Sequence, residues 1–126
     1  MVHSGKRSYA EHAVETASPS SRLVMIIDLL EGALLRADRA YKAHDLYEIH
    51  CGLKNAQTIV ALLRDSLVLD AWEGARDVYR LYEYALDRLV RSNLAKNPEL
   101  LTEAEEVLRP LMDAWRQAAV LVGVNG

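Results

Sequence analysis

The sequence predicts an all-α fold: an antiparallel four-helix up-down bundle with a mobile N-terminal segment. Three observations carry this expectation. Leu and Ala supply 37 of the 126 residues, Phe is absent and only 3 residues are Pro, a mixture that favours helix over strand. Apolar residues recur at alternating steps of three and four, which places them on one face of a helix. Capping and breaking residues fall between those runs, where short turns between helices need them.

Each element follows in chain order. Residues 1–17 are mostly polar, with Tyr9 and Val14 as isolated apolar positions, and stand apart from a helical bundle over 18–122. Ser18 and Pro19 open the first helix. Serine accepts a bond from an unpaired N–H, and proline at the first helical position has no N–H to lose. Leu23, Ile27, Leu30, Leu34, Ala37 and Tyr41 form its stripe. Asp45 caps the second helix, whose stripe is Leu46, Ile49, Leu53, Ala56, Val60, Leu63 and Leu67. A short break is expected near Leu69 and Asp70. The third helix carries Trp72, Ala75, Val78, Tyr82, Ala85 and Leu89. Asn97 and Pro98 repeat the cap-and-proline signal and open a fourth, with Leu101, Ala104, Leu108, Leu111, Trp115 and Ala118. Pro110 lies inside this run and is expected to kink it, because proline frees the carbonyl four residues back. The tail from Val122 to Gly126 is expected to fray. Helices of about 22–26 residues make a bundle about 35 Å long.

Composition narrows the function classes. A formal charge of −3 argues against nucleic acid as the main partner, since phosphate binding needs a basic face. Cys51 is the single cysteine, so neither an internal disulfide nor a cysteine-based zinc site can form, and a reducing compartment fits best. No membrane insertion is expected, because apolar runs such as Leu23 to Ile27 are short and Asp28 interrupts this one. Lys6 and Arg7 are followed by no apolar stretch, so no secretory signal is read.

Chemistry-bearing clusters are weak. His44, Asp45, Glu48, His50 and Cys51 gather at the start of the second helix, but read best as a polar helix start. His44 and His50 are six apart and do not share a helix face. No catalytic residue, metal site or cofactor is expected, and the chain is not read as an enzyme. One enzyme-like alternative is a histidine phosphotransfer bundle using His50, because His50-Cys51-Gly52-Leu53-Lys54 resembles the histidine motif of such domains with one residue inserted. A self-associating structural bundle, for instance a homodimer, is another.

The helices also carry more apolar residues than one core stripe each requires. Met25 and Leu29 lie away from the first stripe, Cys51, Leu62 and Leu69 point opposite the second with Ile59 on its flank, and Leu81 and Tyr84 lie on the far side of the third. The expectation is a second, contiguous apolar surface. Such a surface commonly binds a partner, and an amphipathic helix in a groove is its natural ligand.

Several motifs resemble one known family. Tyr9, Val14, Thr16, Ala17, Ser18 and Pro19 reproduce the spacing Y-x4-V-x-T-A-S-P. Met25-Ile26-Ile27-Asp28 falls where M-L-Y-D is found, and Asn55-Ala56-Gln57-Thr58-Ile59-Val60 resembles K-A-Q-x-I-I, with Ser66-Leu67 following. Leu81-Tyr82-Glu83-Tyr84 with Arg88-Leu89 resembles L-Y-x-Y-M-x-x-R-L, and Ala114-Trp115 the terminal E-A-W. Together, from about Tyr9 to Ala119, these resemble the FliS family, the flagellar export chaperones for flagellin. The resemblance implies a cytoplasmic chaperone that binds the disordered C-terminal segment of flagellin. It would prevent premature polymerisation and deliver the subunit to the flagellar type III export gate. With the apolar surplus, it makes Met25, Leu29, Ile59, Leu62, Leu69, Leu81 and Tyr84 partner-binding residues. Tyr9 and Val14 would then belong to a lid that covers the groove when no partner is bound.

Overall fold

A computed structural model of the chain describes residues 18–125. They form four helices: α1 (Pro19–Lys42), α2 (Leu46–Asp65), α3 (Ala75–Ala95) and α4 (Pro98–Asn125). Tyr9 and Val14, and the segment they belong to, lie outside the described residues. Neighbours in sequence pack together, and α4 packs back against α1, closing a four-sided bundle. Short connections force consecutive helices to run antiparallel. The all-α bundle expected from the stripes is the architecture observed.

The ends form as their residues dictate. The Ser18 hydroxyl oxygen accepts from the Ser21 N–H at 3.2 Å, with Pro19 as the first helical residue. Asp45 Oδ1 accepts from the Glu48 N–H at 3.1 Å and starts α2. Asn97 Oδ1 accepts from the Glu99 N–H at 3.0 Å beside Pro98. His44 and Lys96 reverse the chain at positive φ, 53° and 51°.

Ile27, Leu30, Leu34, Leu53, Val60, Leu89 and Leu108 are fully buried along the bundle axis. Among the described residues, the one buried polar side chain in this core is Ser92. Its needs are met locally: Tyr41 Oη lies 2.6 Å from Ser92 Oγ, which itself donates to the Asn97 carbonyl at 2.8 Å. At the opposite end Trp115 Nε1 donates to the hydroxyl of buried Tyr82 at 2.7 Å.

Two boundaries differ from the expected pattern. α2 stops at Asp65 and α3 starts at Ala75, so Leu67, Leu69 and Trp72 sit in a connection over 66–74 and not on helices. Their helical spacing continues only in sequence. Ser66 Oγ turns back onto the Leu63 carbonyl at 2.8 Å, and the Trp72 ring packs edge-to-face on Trp115, with centroids 6.1 Å apart. Gly74 completes the turn: a Cβ there would lie 2.4 Å from the Trp72 ring. α4 passes through Pro110 as a single helix. Pro110 and Glu106, whose carbonyl loses its helical partner, are both exposed, where water can take the free acceptor.

Candidate partner-binding groove

The site begins with how closely α1 and α2 approach. A Cβ at Gly52 would lie 2.8 Å from the backbone nitrogen of Ala37, so only glycine lets the two backbones meet there. Ala33, Ala37 and Ala40 on α1 and Ala56 on α2 keep this seam thin. Thin side chains fill the seam but leave its outer side concave.

Two hollows lie end to end along that outer side. The first, of about 420 Å³, is lined by Asp28, Leu29, Gly32, Ala33, Arg36, Asn55, Thr58 and Ile59. The second, of about 500 Å³, is lined by Gly32, Leu35, Arg36, Arg39, Ala40, Ala43, Asp45 and Glu48. Both volumes fall in the range of concave ligand sites. They meet at Gly32 and Arg36. Arg36 ties the walls together through a two-pronged pair with Glu48, Nε to Oε2 at 2.6 Å and Nη2 to Oε1 at 3.1 Å. That hydrogen bond holds the Glu48 carboxyl below the ordinary carboxylate range.

The residues singled out by their pattern divide between sites. Leu29, 64% exposed, stands on the α1 wall, and Ile59 is half-buried at the base of the α2 wall. Leu62, 53% exposed, lies one turn beyond Thr58 and Ile59 on the same face of α2. Met25 is one turn before Leu29 on α1, and also borders a hollow with Val24, Ala119 and Val120. Leu69 is half-buried in the 66–74 connection, away from the face of α2 it was expected to extend. Leu81 and Tyr84 are exposed on the side of α3 turned toward α4, where Arg88 stacks over the Tyr84 ring at 5.3 Å and reaches Glu103 at 3.3 Å. The α3–α4 side lies across the bundle from the α1–α2 groove. The apolar surplus therefore forms two patches on opposite sides, not the contiguous surface expected from three helices.

Gly32, Leu35, Arg36 and Arg39 belong to the groove but escaped the pattern. Leu29, Gly32 and Arg36 follow at steps of three and four beside the core stripe. A second stripe of mixed character was the signal. His50 is exposed, with its Nδ1 3.0 Å from the Asn93 side-chain amide. Among the described residues no group of three or more His, Cys, Asp or Glu side chains is placed to hold a metal ion. None of the described helices is long and apolar enough to cross a membrane.

The family model described as flagellar protein FliS matches residues 1–121. The flagellar secretion chaperone FliS of Salmonella typhimurium is 31% identical over 120 residues, covering 90% of this chain and 89% of that protein. That of Bacillus subtilis is 28% identical over 115 residues, covering 88% and 83%. The Escherichia coli protein of the same name is 29% identical over 120 residues, covering 90% and 88%. With a model match over residues 1–121 and a relative 31% identical that covers 90% of it, this chain belongs to the FliS family of flagellar secretion chaperones.

Proposed function

We propose that this chain is a cytoplasmic export chaperone that binds the disordered C-terminal segment of flagellin, keeps it from polymerising early and delivers it to the flagellar type III export apparatus. The observation that carries the reading is the open α1–α2 groove, lined by exposed Leu29 and by Ile59, with exposed Leu62 one turn farther along the same face of α2. A segment that forms an amphipathic helix needs a substitute for the apolar contacts it makes in the filament, and an exposed apolar groove supplies one. Leu81 and Tyr84 across the bundle form a second contact, which a disordered segment can reach by wrapping. The role is one of binding, with no catalytic step. Residues 1–17, through Tyr9 and Val14, act as a lid that competes for the groove.

Calorimetric titration of a flagellin C-terminal peptide tests the reading. Wild type binds, and Leu62→Glu and Leu81→Glu weaken binding by more than roughly tenfold, a loss of about 1.4 kcal/mol each. Both positions are exposed, so the melting temperature stays within a few degrees. Variants that unfold would place these residues in the core and end the groove assignment. Removing residues 1–13 tightens binding and promotes self-association, because a lid lowers apparent affinity by the fraction of time it is closed. A truncated chain that stays monomeric and binds no more tightly would remove the lid.

A further inference from the structure

Two glycines on the facing helices α1 and α2 have opposite explanations. Gly52 is demanded by the fold, since a Cβ there would collide with the Ala37 backbone at 2.8 Å. Gly32 is not: a Cβ there would meet nothing within 4 Å. No described glycine has a positive φ, so the backbone does not require it either. An exposed glycine in the interior of a helix is less stable than alanine. The folded chain alone thus gives no reason for glycine at 32. Its place gives one. Gly32 lines both hollows, exposed on α1 between the exposed Leu29 and Leu35. Any side chain there would stand up into the groove.

We infer that Gly32 is the specificity-determining position of the groove: the bound flagellin segment comes down onto the α1 backbone there and seats a bulky apolar side chain between Leu29 and Leu35. This rests on the proposed reading of the groove as the flagellin site. Charge sets the rest of the segment's chemistry. Of the charged lining residues, Arg36 is tied to Glu48, Asp28 to Arg116, and Asp45 accepts from the Glu48 N–H, whereas Arg39 has no ion pair among the described residues. Arg39 is seven residues, about 10 Å, along α1 from Gly32. The segment therefore carries a carboxylate about two helical turns from its seated apolar side chain.

The same peptide titration, run with Gly32→Ala, Gly32→Leu and Arg39→Glu, tests this. Both Gly32 variants keep or raise the melting temperature, because alanine and leucine are better helix formers than glycine. Affinity falls a few-fold for Gly32→Ala and more than roughly tenfold for Gly32→Leu, the loss growing with side-chain size. Arg39→Glu also weakens binding, and by less at high salt. Cutting the seated residue of the peptide to alanine restores binding to Gly32→Leu. If wild type binds and Gly32→Leu binds as tightly, the inference fails while the flagellin reading stands. If Gly32→Leu melts well below wild type, Gly32 is packed in the free chain and the inference also fails. Binding unaffected by Arg39→Glu removes the acidic partner. If wild type itself does not bind, the flagellin reading falls and takes this inference with it.

Discussion

Helix α1 meets its two neighbours through seams of opposite character. On the α4 side it is stitched by charge. Arg109 Nη1 donates to Glu31 Oε1 at 2.8 Å, and Arg116 Nη2 to Asp28 Oδ1 at 3.0 Å. Arg116 also stands 3.7 Å from Glu31. On the α2 side one ion pair, Arg36 with Glu48, bridges a seam of alanine and glycine flanked by exposed leucines. Exposed ion pairs add little stability, so the charged seam is not the stronger for being stitched. What the pairs do is cover the junction with polar atoms that an apolar ligand has no gain in displacing. The difference teaches where the binding surface lies: it is the seam that polar side chains leave unsealed.

The comparison breaks most completely if the layer beneath both seams is removed. Leu34 is fully buried between them. Leu34→Ala should lower unfolding free energy by about 2–5 kcal/mol through the cavity it leaves. A denaturant midpoint close to wild type would overturn the register of the stripes. A smaller effect separates the seams. Gly52→Ala forces a methyl against the Ala37 backbone and should cost about 1–3 kcal/mol, while loosening the α1–α2 seam alone. Amide exchange in α1 and α2 should accelerate more than in α3. Uniform acceleration would mean that the seams do not open independently.

The smallest effect sharpens the charged seam. Glu105 on α4 has a side chain 12% exposed. Burial pushes its carboxyl up to about 7 from the ordinary 4.5, the Asp38 carboxyl of α1 adds to the rise, and Arg109, with Nη2 2.9 Å from Glu105 Oε2, acts against it. Between those two values the folded chain holds a proton that the unfolded chain has released. Stability from this group is therefore full below the lower value and is lost as pH rises through the upper one. Urea midpoints should fall between pH 5 and pH 8, and Glu105→Gln should flatten that slope. An unchanged slope in the variant would assign the dependence to other groups.

The helices were legible because local rules and global packing agree at their starts. Ser18, Asp45 and Asn97 each accept the bond that their position in the sequence promised. The 66–74 connection was legible only as a short break near Leu69 and Asp70, because Trp72 keeps helical spacing from Ala75 and Val78 while its ring is held by Trp115, some forty residues away. Spacing cannot register a contact at that distance along the chain. The candidate site was legible by halves. Leu29 and Leu62 stood out as surface positions, as both are, because a wheel separates core from surface on one helix. Their separation from Leu81 and Tyr84 did not, because a wheel does not say which neighbour each flank will face. Gly32 and Arg39 carry no such signal, since neither is apolar.

The indole cluster has a consequence for how this molecule can be watched. Both tryptophans of the chain, Trp72 and Trp115, stand against each other at one end of the bundle, and Tyr82 joins them through its hydroxyl. Tryptophan emission is thus an optical probe of that end alone. It reports the 66–74 connection leaving the end of α4, while backbone circular dichroism reports all four helices. Two unfolding curves that coincide would mean that this end melts with the whole. An emission change preceding loss of helix would reveal an end that unzips first.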